Sequence, residues 1–86
     1  MIEVIKFGAE WCNPCKQLAP IIDNIKSDYP NITFTNVDVD NDTDELSGKY
    51  TVRSIPAVFI EKDGKVVDKF VGLKSEQEIR KMLDNL

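Results

Sequence analysis

The chain has 86 residues, 11 basic against 15 acidic side chains for a formal charge of −4, two cysteines and no histidine. Its length supports one modest hydrophobic core, so residues 1–86 read as a single domain. The missing histidine excludes an imidazole base, Ser-His-Asp and Cys-His pairings and a Cys2His2 zinc site, and interspersed lysines on a net negative chain argue against a phosphate-tracking nucleic-acid binder.

Ile2 to Phe7, closed by Gly8 and interrupted by Glu3 and Lys6, is a β-favouring run that predicts a strand. From Cys15 the apolar positions Leu18, Ala19, Ile22, Ile25 and Tyr29 recur at helical spacing. Pro14 suits the first turn of that helix, Pro30 stops it, and Pro20 inside it removes one hydrogen bond and is expected to kink it. Ile32 to Val39 predicts a second strand. Asp42 with Glu45 resembles a capping box for a short helix reaching about Lys49, and Thr51 to Ser54 is a connector. Ala57 to Ile60 is continuously apolar, as in a strand covered on both faces. Asp63-Gly64 is a hairpin turn signal, with Lys65 to Val71 as the returning strand. Ser75 with Glu78 caps a last helix striped by Ile79, Met82, Leu83 and Leu86. The order β-α-β-α-β-β-α predicts an α/β fold with a four-stranded mixed sheet and helices on both faces.

Met1 is followed directly by Ile2-Glu3-Val4-Ile5, without the basic region, apolar segment and cleavage site of a secretory leader, so a cytoplasmic setting is expected. The longest apolar run, Ile55 to Ile60, is far short of the roughly 20 residues of a membrane span, and no membrane association is expected. In a reducing compartment a stabilising disulfide is out of place. Two cysteines three apart therefore point to redox activity or metal binding.

Trp11-Cys12-Asn13-Pro14-Cys15 is the most informative segment. If the helix starts at about Asn13, Cys12 occupies its N-cap, where unpaired N–H groups and the positive end of the dipole stabilise a thiolate. A thiol with a pKa near 8.5 falls to roughly 3.5 to 7.5 in such a place. Cys15, one turn further in, is close enough to bond Cys12 and is expected to be the more shielded. Cys12 would then attack a substrate disulfide, and Cys15 would resolve the mixed disulfide. Pro14 stiffens the turn between them. Two plainer readings stand beside this one: an inert buried pair, or half of a tetrahedral metal site completed by a dimer.

Phe7, Ala9-Glu10-Trp11-Cys12, Pro14-Cys15-Lys16, Leu18-Ala19-Pro20, Val37-Asp38-Val39-Asp40, Lys49-Tyr50, Val52-Arg53-Ser54-Ile55-Pro56, Asp63-Gly64 and Val71-Gly72 stand in an order and at a spacing that resemble the thioredoxin family over essentially the whole chain. The resemblance implies a minimal thioredoxin-like fold and a protein-disulfide reductase and electron carrier. It implies no metal or bound organic cofactor, disulfide-containing proteins as substrates, a flavin-containing thioredoxin reductase as electron donor, and a monomer. It further implies that Pro56 is a cis-proline facing the cysteines, with the backbone before it pairing with substrate as an added strand. Trp11, Ile55, Pro56 and Gly72 would then form a shallow apolar groove around Cys12. Read without the resemblance, Pro56 is a proline at a strand start and Trp11 a core residue.

Three departures from the family pattern stand out. Asn13-Pro14 replaces the usual Gly-Pro between the cysteines, which bears on thiolate pKa and reduction potential. Lys6 stands where the family typically carries a buried aspartate, and Asn36 falls near the position of that aspartate's usual lysine partner. Lys6 either snorkels to solvent as an ordinary strand residue or places its ammonium beneath the cysteines and stabilises a thiolate. Only four residues precede Ile5-Lys6-Phe7, so the family's usual first strand and helix are expected to be missing, as in a glutaredoxin-sized chain. A glutathione-dependent, glutaredoxin-like reductant and a redox-switched protein-binding module are the alternative functions.

Overall fold

A computed structural model of the chain describes residues 1–42 and 45–86. The strands are β1 (Ile2–Gly8), β2 (Ile32–Asp38), β3 (Ala57–Lys62) and β4 (Lys65–Val71). The helices are α1 (Asn13–Lys26), α2 (Leu46–Lys49) and α3 (Glu76–Asp84), with a 3₁₀ turn over Val39–Asn41 after β2. The strands form one sheet in the order β2-β1-β3-β4. β1 runs parallel to β2 and antiparallel to β3, and β4 is antiparallel to β3. A parallel neighbour requires a crossover, which α1 supplies. Among the described residues no helix is long and apolar enough to cross a membrane.

Alternation along the two central strands divides the core. Val4, Val58 and Ile60 face Leu18, Ile22 and Ile25 of α1 and Ile79 and Leu83 of α3. Ile5, Phe7, Ala57 and Phe59 point the other way with Val37, against Val39, Leu46, Tyr50, Val52 and Ile55. Burial on both faces explains why β3 reads as an unbroken apolar run. On the second face the Tyr50 ring packs at 5.6 Å from Phe7 and 5.1 Å from Phe59, between ring centroids. Its hydroxyl donates to the Glu61 carboxylate. Burial first, and the Glu61 carboxylate second, push the Tyr50 pKa up from 10.0 to about 12.

Several boundaries differ from the expectations. α1 ends at Lys26 instead of running on toward Pro30, and tight turns follow in which Asp28 N–H donates to Ile25 and Tyr29 N–H to Lys26. Tyr29 keeps the apolar spacing because it still packs on the first core, while its hydroxyl donates to Asp84 at 2.7 Å. The helix continues through Pro20, whose ring lies at the exposed surface. The expected Asp42–Glu45 capping box does not form. Glu45 takes a left-handed φ of 54° with no side-chain cap, and the Asp42 carboxylate instead accepts from the N–H groups of Leu46 at 2.9 Å and Ser47 at 2.6 Å. The Ser47 hydroxyl, which also donates to this carboxylate at 2.6 Å, and then these N–H groups hold the Asp42 carboxyl below its ordinary range. At α3 the Ser75 hydroxyl does cap, accepting from the Glu78 N–H at 3.2 Å and donating to the Glu78 carboxylate at 2.9 Å.

Leu18 has no exposed surface and joins α1 to the sheet. Leu18→Ala is expected to cost about 2 to 5 kcal/mol in chemical denaturation, with the denaturant slope unchanged. The raised Tyr50 pKa means that the folded state holds the phenol proton more tightly than the unfolded chain. Its contribution is therefore complete below pH 10 and lost as the pH rises toward about 12. Denaturation midpoints across this window should fall more gently with pH in Tyr50→Phe than in the wild type.

A candidate redox site at the end of β1

The site is built where β1 ends. Phe7 pairs with Ala57, which places Pro56 level with Gly8 just beyond the last pair. The Ile55–Pro56 bond is cis, and Pro56 is fully buried. The Gly72 N–H donates to the Pro56 carbonyl at 2.8 Å, tying the end of β4 to this corner. Gly72 has φ of 89°, in the left-handed region that favours glycine, and a Cβ there would meet only open space. Ile55 is half-buried on the second core.

From Gly8 the chain turns through Ala9, Glu10 and Trp11 into α1, with the Cys12 N–H donating to the Ala9 carbonyl at 3.2 Å. Cys12 is the N-cap: its backbone is extended, its carbonyl accepts from Lys16 N–H at 3.2 Å, and its Sγ accepts from Cys15 N–H at 3.3 Å. Asn13 and Pro14 occupy the exposed first turn, where proline's missing N–H is tolerated. Cys12 and Cys15 are joined by a disulfide with their Cα atoms 5.2 Å apart.

Exposure does not distinguish the two cysteines. In this disulfide state Cys12 is 5% exposed and Cys15 is 7%, so the expectation that Cys15 is the more shielded is corrected. Chemical position distinguishes them instead. Cys12 Sγ sits at the helix cap, where a thiolate would accept the same N–H and meet the positive end of the dipole. Cys15 borders a solvent-facing cavity of about 240 Å³ whose walls include Lys6, Gly8, Lys16 and Asp38.

Trp11 is 67% exposed, which removes its reading as a core residue, and its Nε1 donates to Asp40 Oδ2 at 2.8 Å. Lys6 is half-buried on the sheet face under α1; desolvation pushes its pKa down, opposed by Asp23 and reinforced by Lys26. Among the described residues no group of three or more histidine, cysteine, aspartate or glutamate side chains could hold a metal ion.

Two contributors were not singled out in the sequence. A Cβ on Gly8 would lie 3.2 Å from Cys15 Sγ and 3.4 Å from its Cβ, so glycine lets α1 seat closely on the strand. Asp40 holds the indole from 29 residues away. Strand alternation could have placed Gly8 under the helix, whereas no local pattern joins Asp40 to Trp11.

A sulfur that caps a helix, bonded to a second sulfur one turn inside it and set beside a cis-proline, defines a site of dithiol–disulfide exchange. The thioredoxin family model matches residues 2–85. The thioredoxin of Mycoplasmoides gallisepticum is 42% identical over 80 residues, covering 93% of this chain and 79% of that protein. That of Chlamydia trachomatis is 39% identical over 80 residues, covering 93% and 78%. The crystal structure of Fasciola hepatica thioredoxin superposes with a TM-score of 0.88 at 36% identity, covering 98% of this chain and 79% of that one. The chain belongs to the thioredoxin family. It is a thiol–disulfide oxidoreductase working through the Cys12–Cys15 pair.

Trp11 is the single tryptophan, so its fluorescence reports on this corner alone. Asp40→Ala is expected to lower its steady-state anisotropy by freeing the indole, while far-ultraviolet circular dichroism stays unchanged.

Proposed function

We propose that the protein reduces disulfides in partner proteins, with Cys12 as the attacking thiol and Cys15 as the resolving one. The observation that carries this reading is the Cys15 N–H directed at Cys12 Sγ on the helix cap, which favours a thiolate at Cys12. The Cys12 thiolate attacks one sulfur of the substrate disulfide, forming a mixed disulfide and expelling a substrate thiolate. The Cys15 thiolate then attacks Cys12 Sγ, closing the Cys12–Cys15 bond and releasing the second substrate thiolate. Two electrons pass from the dithiol to the substrate, and the released thiolates take up two protons.

Trp11, Ile55, Pro56 and Gly72 form the docking surface in this reading. Arg53, Ser54 and Ile55 precede the first ladder pair of β3 and take part in none of the described backbone hydrogen bonds, which leaves their backbone available to an extended partner segment. Asn13 and Pro14, exposed on the first turn, tune the thiolate and the reduction potential. The protein acts as a monomeric electron carrier in the cytoplasm, recycled by a thioredoxin reductase. Both cysteines belong to the exchange pair and neither is left for a structural bridge, which suits a reducing compartment.

The test is insulin reduction by dithiothreitol. The wild type is expected to accelerate precipitation well beyond dithiothreitol alone, and Cys12→Ser to return it to that background. Cys15→Ser should lose turnover and accumulate a mixed disulfide visible on a non-reducing gel. A folded wild type no faster than dithiothreitol would overturn the exchange reading in favour of a binding module.

A further inference from the structure

Resolution requires Cys15 as a thiolate, yet the helix cap that favours ionisation is occupied by Cys12. Whatever assists Cys15 must come from the cavity it borders. The charged side chains on that cavity are Lys6 from β1, Glu10 from the following loop, Lys16 from α1 and Asp38 from β2. Glu10 and Lys16 are exposed, and Asp38 already accepts from Asp40 N–H at 2.9 Å and from the Asn41 side chain at 3.2 Å.

Lys6 differs from all three. Alternation puts it on the same sheet face as Gly8, whose Cβ position lies 3.2 Å from Cys15 Sγ. It stands one same-face step behind, about 7 Å along the strand, a separation that a lysine stem can cross. No described carboxylate makes an ion pair with it. In the disulfide state the charges acting on its amine are Asp23 and Lys26, further along α1.

We propose that Lys6 is a positioning residue for the resolving step, its ammonium lying beneath α1 at the wall of the cavity and favouring the Cys15 thiolate. The inference rests on the exchange reading and deepens it. The Cys15 thiol loses its proton to bulk solvent through the open cavity, and the thiolate supplies the electron pair that forms the Cys12–Cys15 bond as the Cys12–substrate bond breaks. Asp23 draws the ammonium back along α1 and Lys26 repels it. Glu10 and Asp38 oppose a thiolate, and Lys16 supports one. Lys6 is the member of this set that approaches from inside the fold.

The test uses Cys12→Ser protein, in which Cys15 titrates alone, followed by ultraviolet thiolate absorbance. Adding Lys6→Met is expected to raise the Cys15 pKa by about one unit, while Lys6→Arg keeps it near the parent value. In otherwise wild-type protein, the pH midpoint for loss of a Cys12–thionitrobenzoate mixed disulfide should rise equally in Lys6→Met. Lys6→Gln serves as the neutral variant if Lys6→Met does not fold. A Cys15 titration unmoved in a folded neutral variant overturns the proposal. So does an equal shift of Cys12, measured in Cys15→Ser protein, because that would be a general field and not a local effect. Either result with normal wild-type insulin turnover defeats the role of Lys6 and leaves the exchange reading standing.

Discussion

The redox corner depends on one close approach, the seating of the first turn of α1 on the last residue of β1. Gly8 makes it possible: any side chain there would begin 3.2 Å from Cys15 Sγ, tighter than real contacts normally allow. A helix pushed outward would carry both sulfurs away from Pro56 and lift Leu18, Ile22 and Ile25 from the sheet. The same contact therefore serves catalysis and folding. A small residue at a packed strand end loses side-chain burial, and here the loss is offset by a helix that docks along its apolar stripe.

Once α1 is seated, its N-terminus supplies the electrostatics. The first turn carries no acidic residue, so no carboxylate competes with sulfur for the positive end of the helix. α3 is the contrast within the same chain: Ser75 caps it, and Glu76 and Glu78 fill its first turn. One helix uses carboxylates and a hydroxyl to satisfy its orphan N–H groups and gains stability. The other leaves that role to a sulfur whose charge changes during the reaction. A cap that is alternately thiolate and disulfide binds the helix end with varying strength, so the stability of α1 has to come from its buried stripe.

What could be read in advance follows from how local each cause is. The central strand β3 is legible because burial on both faces writes a continuous apolar run from Ala57 to Ile60, and β1 is legible as a β-favouring run in spite of Glu3 and Lys6. Cys12 at the cap was legible because the CxxC spacing and helix periodicity lie within one turn of each other. The end of α1 is hidden in the sequence because Tyr29 keeps helical spacing for a tertiary reason, packing against the core after the helix has ended. The α2 cap is likewise hidden because Glu45 adopts a left-handed conformation that no short motif encodes, leaving Asp42 to reach the helix from farther back. The similar burial of the two cysteines and the Trp11–Asp40 bond depend on how distant segments meet, and a linear pattern carries no record of that.

The apolar surface beside the site raises a separate question of cost. Val71 and Leu73, flanking the Gly72 that bonds to Pro56, are 63% and 51% exposed, and Trp11 is more exposed still. A free indole at such a position would sample many rotamers, and a partner would have to order it on binding. Asp40 holds that ring in advance by accepting a hydrogen bond from its Nε1, while the Gly72 N–H bond to the Pro56 carbonyl ties the end of β4 to the start of β3. Order at this rim is thus established by folding. Under the docking proposed above, an extended partner would meet a rim that is already ordered, with Trp11, Val71 and Leu73 as its exposed apolar side chains.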